Sequence, residues 1–81
     1  MHKVKLKGVS RISIVGDFIR LDALLKFSAI ASTGGEAKLL IQSGDVYVGG
    51  EPCLERGRKI KQGDVVRYGR QVLLVSQKNS L

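Results

Sequence analysis

The chain has 81 residues and a formal net charge of +7, which comes from 14 lysines and arginines against 7 aspartates and glutamates. This length predicts one small domain over residues 1–81 and leaves no room for a second, catalytic domain. The single cysteine excludes an internal disulfide and fits a reducing cytoplasm, and no segment reaches the roughly 20 apolar residues of a membrane span.

The first predicted element is a strand near the N-terminus. Residues 1–11 form a basic segment, and residues 11–15 alternate imperfectly between polar and apolar side chains. Residues 4–6 compete for the same role, so both stretches stay open as the first strand.

A first short helix is predicted from Asp22, whose carboxylate can accept hydrogen bonds from the N–H groups of the next turn. Its apolar side chains fall on two faces: Leu21, Leu24 and Leu25 on one, and Ala23, Phe27 and Ile30 on the other. Two apolar faces predict burial on two sides, between a second helix and a sheet. Phe18 and Phe27 are accordingly expected in the core.

A second helix is predicted over residues 34–43. Thr33 followed by Glu36 is a capping box, in which the threonine oxygen accepts from the N3 amide and the glutamate reaches back to the cap amide. Gly44 suits the left-handed position just after the helix.

Beyond Gly44 the sequence pattern changes from helical to alternating. Residues 46–48 and 52–54 flank Gly49-Gly50, and residues 65–68 and 71–75 flank Gly69-Arg70, which predicts two tight hairpins. Pro52 cannot donate a ladder hydrogen bond and is predicted at a sheet edge. The elements together predict an α+β fold, with two short helices packed on a small, mainly antiparallel sheet.

Three short motifs follow one another along the chain: Arg20-Leu21-Asp22, then Thr33, Glu36, Ala37 and Lys38, then Gly44, Val46, Val48 and Gly50. In this order they resemble the motifs of the S-four RNA-binding domain. The Thr-Gly-Gly-Glu-Ala-Lys form is similar to the free-standing YaaA or YbcJ-like branch, whose members consist of little beyond this domain. Gly34 departs from the arginine that the family often has there, and Gly49 departs from its usual asparagine. The resemblance implies an alpha-L RNA-binding module with an accessory role in translation or ribosome assembly.

Positive charge is concentrated at the two ends of the sequence, since residues 1–16 sum to +4, residues 17–55 to −3 and residues 56–81 to +6. A field of one sign attracts polyanions. The run from 55 to 61 is the densest, and Arg56, Arg58 and Lys59 are predicted to clamp phosphates. If Gly57 breaks the extended backbone, these cations converge near Lys38 and Arg20.

The start of the second helix is a further candidate phosphate site. Gly34 and Gly35 allow an anion to approach the first N–H groups of the helix, and Lys38 follows one turn later. The alternative is that Thr33 and Glu36 already satisfy those amides and the glycines only shape a turn.

The sequence therefore predicts a non-catalytic cytoplasmic protein, without metal or cofactor, that binds structured RNA, either ribosomal or transfer RNA, with the ribosomal subunit as a candidate partner. The predicted binding residues are Arg20, Gly34, Gly35, Lys38, Arg56, Arg58 and Lys59. The RNA-binding core is expected over about 18–75, and the end at 78–81 is expected to fray.

Two other binding functions stay open. One is an adaptor whose basic face meets an acidic protein partner. The other is a DNA-binding helix-turn-helix, although the second helix offers only Lys38, Gln42 and Ser43 outside its apolar face. An enzyme has little support, because His2 lies at the chain end and the acids near Cys53, Glu51 and Glu55, disfavour a reactive thiolate.

Overall fold

The computed structural model describes residues 8–78. Across these residues the chain forms two helices and seven strands: β1 (Val9–Ile14), β2 (Ile19–Arg20), α1 (Leu21–Phe27), α2 (Gly34–Gln42), β3 (Val46–Val48), β4 (Glu51–Pro52), β5 (Lys59–Ile60), β6 (Val65–Tyr68) and β7 (Gln71–Gln77). The competing strand at 4–6, most of the basic N-terminal segment and all but the first residue of the expected frayed end lie outside the described residues.

The strands form two sheets. The larger sheet has the order β1-β7-β6-β3-β4, in which β1 and β7 are parallel and the other pairs are antiparallel. The smaller sheet pairs β2 with β5 in antiparallel fashion. The predicted α+β fold, with two short helices on a mainly antiparallel sheet, is confirmed.

The core lies between the helices and the larger sheet. Leu24 and Leu25 from α1 and Ile41 from α2 are fully buried, and they belong to one apolar cluster with Val46, Val66 and Leu73 from the sheet. Side chains alternate between the two faces of a strand, so Val46, Val66 and Leu73 all lie on the inner face of the sheet.

The two predicted hairpins form with the turn chemistry that their glycines favour. Gly49 and Gly50 both have positive φ, 61° and 88°, as a type I′ turn requires. In the second hairpin Tyr68 pairs with Gln71, and Gly69 alone has positive φ, as in a type II′ turn. Pro52 lies on β4, the edge strand of the larger sheet, as predicted.

Helix α2 begins and ends close to the predicted residues. The Glu36 amide donates to Thr33 Oγ1 at 3.0 Å, and Gly44 takes a left-handed φ of 85° just after the helix. The Glu36 carboxylate, however, accepts from the amide of Ser32 at 2.7 Å instead of from that of the cap residue Thr33. Both ends are thus fixed by local hydrogen bonds, which explains why the sequence predicted them.

Helix α1 differs from prediction in the number of faces that it buries. Leu21, Leu24 and Leu25 face the core, but Phe18 is 42% exposed and Phe27 is 64% exposed. The expectation that both phenylalanines lie in the core is wrong. Phe27 is the last residue of α1 and lines an open groove together with Ile14 of β1 and Ile19 of β2, which leaves its ring exposed.

Helix α1 ends in a Schellman motif with an unusual residue at its left-handed position. The Ile30 amide donates to the Leu25 carbonyl at 2.9 Å and the Ala29 amide to the Lys26 carbonyl at 3.0 Å. Ala29 has a φ of 66°, a conformation that most helix ends give to glycine. A Cβ in that conformation costs roughly 1–2 kcal/mol.

Replacing Ala29 by glycine is expected to raise the free energy of unfolding. The relief of the Cβ contact exceeds the extra backbone entropy of glycine, which leaves a net gain of about 0.5–1 kcal/mol. Urea unfolding followed by circular dichroism measures this gain. The matched control is Ala23→Gly inside α1, which is expected to lower stability by about 1 kcal/mol. A destabilised Ala29→Gly would contradict the assignment of strain to Ala29.

Candidate functional site

The centre of the site is a buried aspartate that holds two arginines. Asp22 is 7% exposed, although it lies on a short surface helix. Arg20 donates to it through Nε and Nη2, both at 3.2 Å, and Arg56 donates through Nε at 2.8 Å. The Ala23 amide donates a fourth hydrogen bond at 2.8 Å. We call Arg20, Asp22 and Arg56 the arginine cluster.

The pKa of Asp22 lies below the ordinary value of an aspartate. Burial on its own raises this pKa, but the hydrogen bonds from Arg56, Arg20 and the Ala23 amide outweigh burial and lower it. The carboxylate is therefore charged at neutral pH. Its charge offsets one of the two guanidinium groups, so the arginine cluster keeps a net positive charge.

Asp22 takes a role beyond the predicted one. It was expected to begin α1 and to accept from N–H groups of the first turn. The helix begins one residue earlier, at Leu21, but the Asp22 carboxylate does accept from the Ala23 amide. Asp22 was not among the predicted site residues. The sequence did contain a sign of this role, because Asp22 lies beside Leu21 and Leu25 on the buried side of the helix. A charge in such a position needs a partner of opposite charge.

The loop before β5 brings Arg56 to the cluster. The Arg58 amide donates to the Glu55 carbonyl at 3.2 Å, which closes a turn through Arg56 and Gly57. The extended backbone is thus broken at Gly57, as the predicted convergence required. The amides of Leu21 and Asp22 donate to the carbonyls of Arg58 and Arg56, at 2.8 and 3.0 Å, and fix this loop against the start of α1.

The arginine cluster lies against the N-terminus of α2. The Nη2 atom of Arg56 is 3.5 Å from the position that a Cβ on Gly34 would occupy. A methyl group there would make ordinary contact, so Gly34 is not required sterically. Gly35 is exposed, and a Cβ built on it would lie 3.9 Å from the Thr33 hydroxyl, so Gly35 is not required sterically either.

The other predicted cations differ in how close they lie to the cluster. Lys59 is the strand partner of Arg20 in the β2–β5 pair, so the two side chains are neighbours across the ladder. Lys38 is exposed one turn after Gly34 on the same side of α2. Arg58 instead directs Nη1 toward the buried Cys53 sulfur, at 3.9 Å. Arg20, Gly34, Arg56 and Lys59 therefore come together, whereas Arg58 is turned toward Cys53.

Two exposed phenylalanines border this group. The Lys59 ammonium lies 4.8 Å from the ring centroid of Phe18, a cation–π contact. Phe27 and Phe18 line the same shallow groove. A separate cation–π pair, Arg67 over Tyr47 at 4.4 Å, lies on strands β6 and β3 of the larger sheet.

Other kinds of site find little support in the part of the chain from residue 8 to residue 78. No group of three or more His, Cys, Asp or Glu side chains there could hold a metal ion. Neither of its helices is long and apolar enough to cross a membrane.

Comparisons with known proteins agree with the resemblance drawn from the motifs. A family model described as the S4 domain matches residues 12–76. The chain is also 42% identical over 55 residues to the "Probable ribosome maturation protein RlbA" of Bacillus subtilis (strain 168). That match covers 68% of this chain and 78% of the relative.

Proposed function

The chain belongs to the S4 domain family, and on that premise we propose that it is a non-catalytic protein that binds structured RNA. The proposed RNA is ribosomal or transfer RNA, and the role is an accessory one in translation or ribosome assembly. The name of the Bacillus subtilis relative, a probable ribosome maturation protein, favours ribosomal RNA. The proposed binding residues are Arg20, Gly34, Gly35, Lys38, Arg56, Arg58 and Lys59.

The observation that carries the proposal is the position of the arginine cluster beside the start of α2. Guanidinium groups bind phosphate oxygens in bidentate fashion, and the first N–H groups of a helix attract anions. Among residues 8–78, the one hydrogen bond that the Arg56 side chain donates runs from its Nε to Asp22, so neither terminal nitrogen has a hydrogen-bond partner there. Its Nη2 already lies against Gly34.

Negative charge near the cluster limits how strongly an anion is held there. Glu36 places its carboxylate on the Ser32 amide, at the start of the same helix. Lys59 beside Arg20 and Lys38 one turn along α2 add positive charge on either side. A phosphate backbone that spans several of these cations is favoured over a single small anion, because each cation then neutralises a different phosphate.

The exposed surface of α2 favours RNA over the DNA alternative. A recognition helix in a major groove presents polar side chains along its outward face. The exposed side chains of α2 are Glu36, Lys38, Leu39 and Gln42, and Leu39 is 66% exposed. Of these, only Lys38 and Gln42 suit phosphates or base edges, so a helix laid in a groove would make few specific contacts and the cations around the helix start are the better contact surface.

Binding to an RNA hairpin is expected to weaken steeply with salt. If about four phosphates are engaged, the logarithm of the association constant falls against the logarithm of the salt concentration with a slope of about −3 to −4. Fluorescence anisotropy at several salt concentrations measures that slope. A slope near zero would contradict a phosphate-binding surface.

Salt dependence alone does not separate RNA from an acidic protein partner, because both interactions weaken. Competition with polyglutamate at equal charge concentration makes the distinction. Guanidinium groups bind carboxylates and phosphates alike, so only a surface whose cations match the spacing of an RNA backbone should hold RNA against this competitor. Crosslinking to RNA in cells followed by sequencing then identifies the bound RNA. Recovery of no RNA, together with release of the hairpin by polyglutamate, would contradict the proposed function.

A further inference from the structure

A shallow apolar groove lies beside the arginine cluster. It has a volume of about 190 Å³ and is lined by Ser13, Ile14, Val15, Phe18, Ile19 and Phe27. Phe18 and Phe27 expose 42% and 64% of their surface. Burying two such rings in a domain this small would normally stabilise it, so their exposure points to a ligand that they contact.

The groove is continuous with the cations of the proposed site. Lys59 lies over the Phe18 ring, 4.8 Å from its centroid, and is also the strand partner of Arg20. Phe18 precedes Arg20 by two residues, so about 7 Å of extended chain separates the groove from the arginine cluster. A single nucleotide is long enough to place its phosphate on these cations and its base in the groove.

We infer that this groove holds one unpaired nucleobase of the bound RNA, stacked against Phe27 and the open surface of Phe18. The inference rests on the proposed function and adds a second mode of contact to it. Every base has a flat π face, and stacking on an aromatic side chain tolerates any sequence. The site would therefore select RNA with a bulged or looped-out nucleotide next to a helix, regardless of which base it carries.

The small size of the groove and the cation on its rim favour a nucleobase over a second copy of the chain. A stable dimer needs roughly 800 Å² of buried surface on each partner, whereas this groove is lined by six residues. A second copy would also bring another Lys59 and another arginine cluster toward the first, and like charges repel. A nucleotide brings a negative phosphate instead.

The test measures, by fluorescence anisotropy, the affinity of the full chain for two RNA hairpins. The hairpins differ only by one unpaired adenosine. The wild-type protein is expected to bind the bulged hairpin about 5- to 100-fold more tightly than the fully paired one. Phe27→Leu keeps an apolar side chain but removes the ring, and is expected to reduce this preference to about twofold or less. The matched control is Leu39→Ala, an equally exposed apolar residue on α2, which should keep the full preference.

The outcomes separate this inference from the proposed function. Equal affinity of the wild-type protein for both hairpins, or an unchanged preference in Phe27→Leu, would overturn the nucleobase site and leave the phosphate-binding surface intact. Failure to bind either hairpin would overturn the proposed function and this inference with it. Sedimentation showing a wild-type dimer that Phe27→Leu dissociates would assign the groove to a second copy and overturn the inference.

Discussion

Replacing Arg56 by glutamine is expected to lower the affinity for RNA about 10- to 100-fold, because a hydrogen bond to a charged group contributes about 1.5–3 kcal/mol. The two terminal nitrogens of Arg56 have no hydrogen-bond partner within the described residues, and one of them lies close to the start of α2. The loss should be similar for every RNA, and the salt slope should become shallower by about 1. Fluorescence anisotropy across a salt series measures both quantities.

The fold is expected to survive this substitution. Arg20 still donates two hydrogen bonds to Asp22 in the variant, so the buried carboxylate keeps a cation. Thermal unfolding checks that the variant is folded.

The matched control is Arg67→Gln, which removes an exposed arginine from β6, away from the cluster, and should change affinity by about twofold at most. Equal losses in the two variants would show that net charge, and not this site, decides binding.

The same measurement separates two cations that are adjacent in sequence. Lys59 is the strand neighbour of Arg20, whereas Arg58 points toward Cys53. Lys59→Glu should therefore weaken RNA binding more than Arg58→Glu does. The opposite order would move the contact surface to the Cys53 side of the loop.

Replacing Asp22 by asparagine is expected to lower the free energy of unfolding by about 2–3 kcal/mol. The buried carboxylate accepts four hydrogen bonds, three of them from guanidinium groups, and an asparagine offers one acceptor oxygen and an NH₂ group that repels these donors. A domain of this size has a total stability of roughly 4–12 kcal/mol. Urea unfolding at pH 7 should therefore show a large shift of the midpoint. Asp17→Asn, at an exposed position, is the control and should fall within about 0.5 kcal/mol of the wild type.

The effect of Asp22→Asn is expected to shrink in acid. The pKa of Asp22 is lower in the folded protein than in the unfolded chain, because the arginines and the Ala23 amide favour its charged form despite burial. Its contribution to stability is therefore complete above the unfolded pKa, near pH 4, and is lost as the pH falls through the folded pKa. The stability difference between wild type and variant should narrow over that range. A difference that stays constant with pH would contradict the assigned role of the carboxylate.

RNA affinity in the same variant tests whether Asp22 positions the arginines. Asparagine removes a negative charge, so a purely Coulombic role predicts tighter RNA binding. If the carboxylate instead holds Arg20 and Arg56 in place, binding weakens although the net charge rises. The sign of the change therefore distinguishes the two roles.

Elements that depend on neighbouring residues could be predicted from the sequence. The Thr33 cap and Gly44 fixed α2, and Gly49-Gly50 and Gly69 fixed two hairpin turns, because each hydrogen bond or backbone angle there involves residues a few positions apart. The motifs also indicated the family. Four of the predicted site residues lie together, namely Arg20, Gly34, Arg56 and Lys59. Their convergence was predicted only if Gly57 breaks the extended backbone, and the sequence alone could not show that break.

Other features depended on contacts between distant parts of the chain. Asp22 and Arg56 are 34 residues apart, and only the packed loop before β5 shows that this aspartate is buried between two arginines. The parallel pairing of β1 with β7 and the direction of Arg58 likewise had no local signal.

The amphipathic pattern of α1 showed that Phe27 could be buried, yet it could not show what would cover it. In the structure Phe27 lines an open groove and stays exposed. The sequence by itself determined the two helices, the strands of the larger sheet, the hairpin turns and the excess of positive charge, since these follow from local backbone preference and composition. It gave no signal for the short strands β2 and β5. The tertiary structure decided which charges meet and which rings face solvent, because desolvation and ion pairing depend on neighbours that chain order does not specify.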